Sequence, residues 1–231
     1  MRKGNGRKMQ YGSTIGKKFY EDGSVRKYPG NTVVADVTSA CPAYEVMTRL
    51  HDMVKEHGLD RHVILLPTDS YHMTVISGVN DQVRLDTHWP PNLPKDIPMD
   101  KVDDYIAGAI GKLTMPGRIR MRFDQIHFGS GAMLVLLLPA DEEQERILRD
   151  FRDQAAEEIG FRLPRHEKYR FHISLGYTRI IPEEEDRERM DRMIAEMNQY
   201  IENRPVFEIN PPYMAFYNDM YYFSPIRLPR E

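Results

Sequence analysis

Apolar and polar residues alternate along residues 71–77 and again along 169–177, the period-two pattern of strands with one buried and one accessible face. A Pro67-Thr68-Asp69 turn precedes the first of them and joins it to a shorter apolar run at 62–66. Residues 32–37 form another strand pattern. After it, Thr38, Ser39 and Pro42 supply cap and first-turn residues for a helix running to about His57, with Val46, Met47, Leu50 and Val54 on one face. Further along, residues 118–128 and 132–138 predict a hairpin across Gly129-Ser130-Gly131, followed by a charged helix over 141–159. A helix over 182–203 and a closing pair of strands, 206–217 and 221–226, complete the pattern. Residues 1–30, rich in Gly, Lys and Arg with turns at Asp22-Gly23 and Pro29-Gly30, read as an irregular arm, and 227–231 as a tail. Between 79 and 117 the chain is punctuated by Pro90, Pro91, Pro94, Pro98 and Pro116 around a short helix at 100–113, which predicts a connector or lid.

Each half of the chain thus offers strand, helix and strand. The expected fold class is α+β: two pseudo-symmetric lobes whose antiparallel sheets line a central cleft, with helices on the outer faces, all within one bilobal unit over 31–226. A chain of 231 residues is long enough for that unit to share one core. Hydrophobic and charged contents of 41% and 29% belong to a folded globular protein rather than a disordered one. No apolar run reaches the roughly 20 residues of a membrane span, and the basic N-terminus is not followed by the apolar stretch of a secretory signal, so cytoplasmic residence is expected. The single cysteine, Cys41, excludes an intramolecular disulfide and a thiolate metal cage, and reads as a small helix-entry residue. A net charge of −3 offers no general attraction to long polyanions. Any phosphate-bearing ligand must therefore be caught locally, which favours a small nucleotide, a sugar phosphate or an RNA end over a duplex.

The chemistry concentrates in Tyr71-His72-Met73-Thr74-Val75 and Phe171-His172-Ile173-Ser174-Leu175. In a strand, residues two apart share a face, so His72 projects beside Thr74 and His172 beside Ser174. Met73, Val75, Phe171, Ile173 and Leu175 then point into the core. Roughly half an H-x-[S/T] match is expected by chance in such a chain, so the weight lies in having two, each centred in an apolar strand at a similar place in the repeat. In-line displacement at a phosphodiester needs a base for the entering oxygen, an acid for the leaving oxygen and donors for the equatorial oxygens. Two histidines with ordinary pKa near 6.5 can share the acid and base roles, and Thr74 and Ser174 can supply the donors. The tripeptides alone leave open which histidine is the base.

On these two tripeptides and the repeated strand and helix order over about 31–226, the sequence resembles the 2H phosphoesterase superfamily, which includes RNA 2′,3′-cyclic phosphodiesterases and 2′-5′ RNA ligase-like proteins. It is most similar to a branch carrying an insertion between the lobes. The resemblance implies that both H-x-[S/T] strands face one cleft, and that a cyclic or small phosphodiester is hydrolysed without metal or other cofactor. The alternative is a non-catalytic nucleotide or RNA-end binding module built on the same cleft.

Three further residues are candidates for substrate binding. Arg170 shares the parity of His172 and could add a bidentate phosphate contact. Tyr177 and Trp89 could stack on a base, although Tyr177 falls on the core-facing parity and Trp89 sits in the connector. His127 and His166 lack metal-ligand spacing, and no phosphate-cradling Gly-rich loop or nucleophile elbow occurs. The closing aromatic segment, Tyr213, Phe216, Tyr217, Tyr221, Tyr222 and Phe223, reads as strand packing. Oligomeric state carries no signal in the sequence.

Overall fold

The computed structural model describes residues 9–230; the first eight residues of the expected arm and the last of the tail lie outside them. Eight strands form one sheet in which every pairing is antiparallel. In chain order they are β1 (Gly30–Asp36), β2 (Val63–Leu65), β3 (His72–Asn80), β4 (Ile119–Phe128), β5 (Ala132–Pro139), β6 (His172–Thr178), β7 (Phe207–Ile209) and β8 (Tyr213–Tyr217). The helices are α1 (Pro42–Glu56), α2 (Met99–Ile110), α3 (Glu142–Ile159) and α4 (Glu184–Ile201).

The expected pair of sheets is continuous: the strand order is β7-β4-β5-β6-β3-β1-β8, with β2 added on β6. β3 and β6, the two strands that carry the H-x-[S/T] tripeptides, meet at the seam through a single register pair, Met73↔Ile173. The lobes are therefore the two halves of this sheet. Each half takes its outer helices partly from the other's sequence: α1 follows β1 yet packs on β6, β7 and α4, while α3 follows β5 and packs on β3 as well as on α2.

The predicted closing strand 206–217 is split in two. Pro211 and Pro212 lack the amide donors a ladder needs, so β7 ends before them on β4 and β8 begins after them on β1. Those are opposite edges of the path. Seven flat strands would span about 29 Å, whereas four residue steps reach about 14 Å at most, so the sheet must curl to bring its edges together. The curl leaves a cleft on the concave side and the helices outside. Residues 221–226 form no strand; they contribute one isolated bridge, Phe216↔Ser224.

The cores follow the sequence pattern. α1 starts at Pro42 after Cys41, whose buried thiol donates to the Glu208 carbonyl at 3.0 Å, and it buries Ala43, Val46, Met47, Leu50, Met53 and Val54. Asp141 caps α3 by accepting from the Gln144 amide, and Gly160 ends it in the left-handed conformation at φ 85°. The 79–117 segment, expected as a connector or lid, contributes to the core. α2 packs on β1, β3 and β8 through Val102, Ile106 and Ile110, and its buried Asp103 accepts from Asn31 and pairs with Arg230 at 2.6 Å. No helix among the described residues is long and apolar enough to cross a membrane.

Candidate active site

Because β3 and β6 meet at Met73 and Ile173, the side chains flanking that pair on the other face come together. Met73, Val75, Ile173 and Leu175 are fully buried on the helix side, and His72, Thr74, His172 and Ser174 are half-buried on the cleft side. The alternation expected from the sequence holds for all eight positions.

Both imidazoles are held in the same way. Nδ1 of His72 lies 2.8 Å from the Ser70 carbonyl oxygen, and Nδ1 of His172 lies 2.8 Å from that of Arg170. A carbonyl only accepts, so each Nδ1 carries the proton and each neutral ring turns an unprotonated Nε2 outward. Neither Nε2 has a hydrogen-bond partner among the described residues, and the same is true of the Thr74 and Ser174 hydroxyls. Burial pulls His72 down to about 4, with the charges of His172 and Lys18 adding to the effect and the Ser70 hydrogen bond opposing it. His172 is also lowered, by burial first and by Lys18 second. The unliganded pair therefore favours two neutral rings rather than the one neutral and one protonated ring that ordinary pKa values suggest.

Aromatic rings flank the pair. Phe223 packs against His72 at 4.1 Å between centroids with the rings tilted by 52°, and Tyr217 stands 5.0 Å from Phe223. Tyr169 is 6.0 Å from His172 and donates to the Thr74 carbonyl across the seam. The closing segment is thus more than strand packing at Phe223.

The other candidates divide. Tyr177 faces the cleft despite its core parity, because the β5–β6 register skips Leu175: Leu136 pairs with His172, Leu134 with Ser174 and Ala132 with Tyr177. One bulged residue moves everything after it to the other face. Arg170 is exposed, and its guanidinium donates to Asp124 at 3.2 Å. Trp89 is not available for stacking on a ligand: it is 0% exposed, donates to the Leu93 carbonyl, and is covered by Arg84 at 4.6 Å and Lys95 at 5.7 Å. His166 is buried against Asp153 at 2.9 Å and His127 is exposed. Among the described residues no three His, Cys, Asp or Glu side chains group so as to hold a metal ion. Sequence reasoning missed Lys18. Its Nζ donates to the Tyr177 hydroxyl at 3.2 Å, and a lysine in a Gly- and Lys-rich arm gives no local sign of such a place.

Residues 18–131 match the family model 2H-phosphodiest, described as a domain of unknown function (DUF1868). The match includes the first tripeptide and stops before the second. A crystal structure of a conserved protein of unknown function from Agrobacterium tumefaciens is similar over 93% of this chain and 91% of that chain, with 29% identity and a TM-score of 0.84. No curated protein matches the chain.

Proposed function

The chain belongs to the 2H phosphoesterase family, a phosphodiesterase-type family, and we propose that it hydrolyses a cyclic or small phosphodiester by acid/base catalysis between His72 and His172, without metal. The substrate class is a nucleotide or an RNA end bearing a 2′,3′-cyclic phosphate. The observation that carries this reading is the pair of outward-facing Nε2 atoms, each fixed by a carbonyl two residues upstream, beside two unengaged hydroxyls.

In the reaction, one neutral Nε2 takes a proton from water as the water oxygen bonds to phosphorus. The opposite imidazolium gives its Nε2 proton to the oxygen that leaves. Thr74 and Ser174 donate to the equatorial oxygens, where charge builds. The depressed pKa values make the substrate part of the protonation step: a phosphodiester anion between the rings offsets the burial penalty and favours one imidazolium. The site thus takes up its acid proton when the anion arrives.

The test is turnover of 2′,3′-cyclic nucleotides in EDTA by wild type, His72→Ala and His172→Ala. Each substitution is expected to lower turnover by about 10² or more. If wild type binds a cyclic nucleotide yet turns over neither it nor a wider panel of phosphodiesters, the cleft is a binding module and the catalytic reading fails.

A further inference from the structure

The described part of the N-terminal arm, residues 9–29, has little regular structure, yet it is fixed to the end of β6. The Gly12 amide donates to the Arg179 carbonyl at 2.9 Å, and the Ser13 amide to that of Ser130 at 2.7 Å. The approach is close enough that a Cβ on Gly12 would lie 1.9 Å from the Thr178 carbonyl oxygen. Beyond this anchor the arm turns back on itself, with Phe19 bridged to Val25 and the Arg26 amide donating to the Lys18 carbonyl. Phe19 is fully buried, 5.0 Å from the Tyr177 ring and 6.1 Å from Tyr221. Its neighbour Lys18 is thereby held in one direction.

That direction is toward Tyr177, on the strand face that carries His172 and Ser174. Lys18 Nζ donates to the Tyr177 hydroxyl and sits over two rings, 4.7 Å from the centroid of Tyr177 and 5.3 Å from that of Tyr28. Tyr177 belongs to the face of His172 and Ser174 by the β5–β6 register. The ammonium is half-buried, and no carboxylate among the described residues pairs with it. Two tyrosine faces offset part of the cost of removing a cation from water, but they leave its charge uncancelled. A cation in this state, on the face that carries two neutral imidazoles and two unengaged hydroxyls, is a receptor for an anion. Its charge already reaches both rings, since it contributes to lowering His72 and His172 alike.

We propose that Lys18 is a phosphate-binding residue, delivered to the cleft by the N-terminal arm, so that the anion site is complete only with the arm docked. The ligand class is a phosphate-bearing small molecule whose non-bridging oxygens accept from Lys18 Nζ while the Thr74 and Ser174 hydroxyls hold the rest of the group. This assignment rests on the cleft being the ligand site, and it does not require that the ligand be cleaved.

The test uses inorganic phosphate as the probe and the imidazole proton resonances of His72 and His172 as the reporter, in the full chain. Phosphate is expected to shift both resonances in wild type. Lys18→Met should weaken phosphate by about tenfold or more, the usual worth of a charge-assisted hydrogen bond, whereas Lys18→Arg should stay close to wild type. In the absence of phosphate, Lys18→Met should also raise the titration midpoints of both histidines, which a merely structural role for the arm would not require. Equal phosphate affinity in wild type and Lys18→Met, or no response of either histidine to phosphate in wild type, overturns the proposal. A wild type that binds phosphate through Lys18 but cleaves no phosphodiester would sink the catalytic reading and leave this one standing.

Discussion

Placing His72 in a half-buried cleft couples the stability of the whole chain to pH. In the unfolded chain its imidazole titrates near 6.5, and in the fold burial holds it at about 4. Above 6.5 both states are neutral at this position and it contributes nothing pH-dependent. Below 6.5 the unfolded chain takes a proton that the fold refuses, so stability falls with pH until the folded ring titrates too. Each pH unit in that window costs about 1.4 kcal/mol, which comes to about 2 kcal/mol between pH 6.5 and about pH 5. The ring keeps some surface in the cleft, so this is the upper end. The perturbation is His72→Gln, which keeps a polar side chain and cannot titrate. Urea unfolding of both proteins at about pH 7.5 and about pH 5 should show wild type losing up to about 2 kcal/mol more than the variant between the two conditions. An equal loss in both proteins would refute the argument, because it would mean that the folded ring titrates like a free one.

Three further outcomes follow from the same geometry. Since both imidazoles are pushed toward neutrality, the proton needed by the free enzyme is lost as pH rises through a depressed pKa; kcat/KM on a cyclic nucleotide should therefore begin to fall below pH 6.5, and a basic limb above about 7 would contradict this. Gly12→Ala brings a methyl group onto the Thr178 carbonyl and should loosen the arm, seen in limited proteolysis as earlier cleavage within residues 9–28 while the remainder resists; an unchanged digestion pattern would show that the anchor can give way without detaching. Trp89→Ala empties a fully buried site and should cost about 3–5 kcal/mol in urea unfolding with KM unchanged, whereas a raised KM at unchanged stability would return Trp89 to the ligand.

The sequence carries the element order and the tripeptide pair because both are local. Period-two and period-3.6 patterns set which residues each element buries, and His72, Thr74, His172 and Ser174 needed only that parity to be placed on one face. What depends on pairing between distant segments was invisible. The parity of Tyr177 is reversed by a skip at Leu175, a property of how β6 meets β5 and not of either strand alone. Trp89, just before Pro90 and Pro91 in an apparent connector, has no place that the sequence fixes until Arg84 and Lys95 are found lying over its ring. Lys18 and Tyr177 are 159 positions apart in sequence. No window over either segment could join them. Pro211 and Pro212 are the exception: a local signal for dividing the 206–217 strand was present.

The near-identity of the two tripeptides conceals an asymmetry that bears on their roles. Burial pushes both rings toward neutrality, but their surroundings differ: the Phe223 ring lies 4.1 Å from His72 between centroids, while Tyr169 stands 6.0 Å from His172. An apolar ring at 4.1 Å takes the place of water that would solvate an imidazolium, so of the two histidines His72 has the poorer surroundings for charge. In the proposed reaction the proton that enters with the anion is therefore expected on His172, which would make His172 the acid for the leaving oxygen and His72 the base for water. The histidine resonances should then titrate in that order, His172 at the higher pH. Midpoints in the opposite order would exchange the roles.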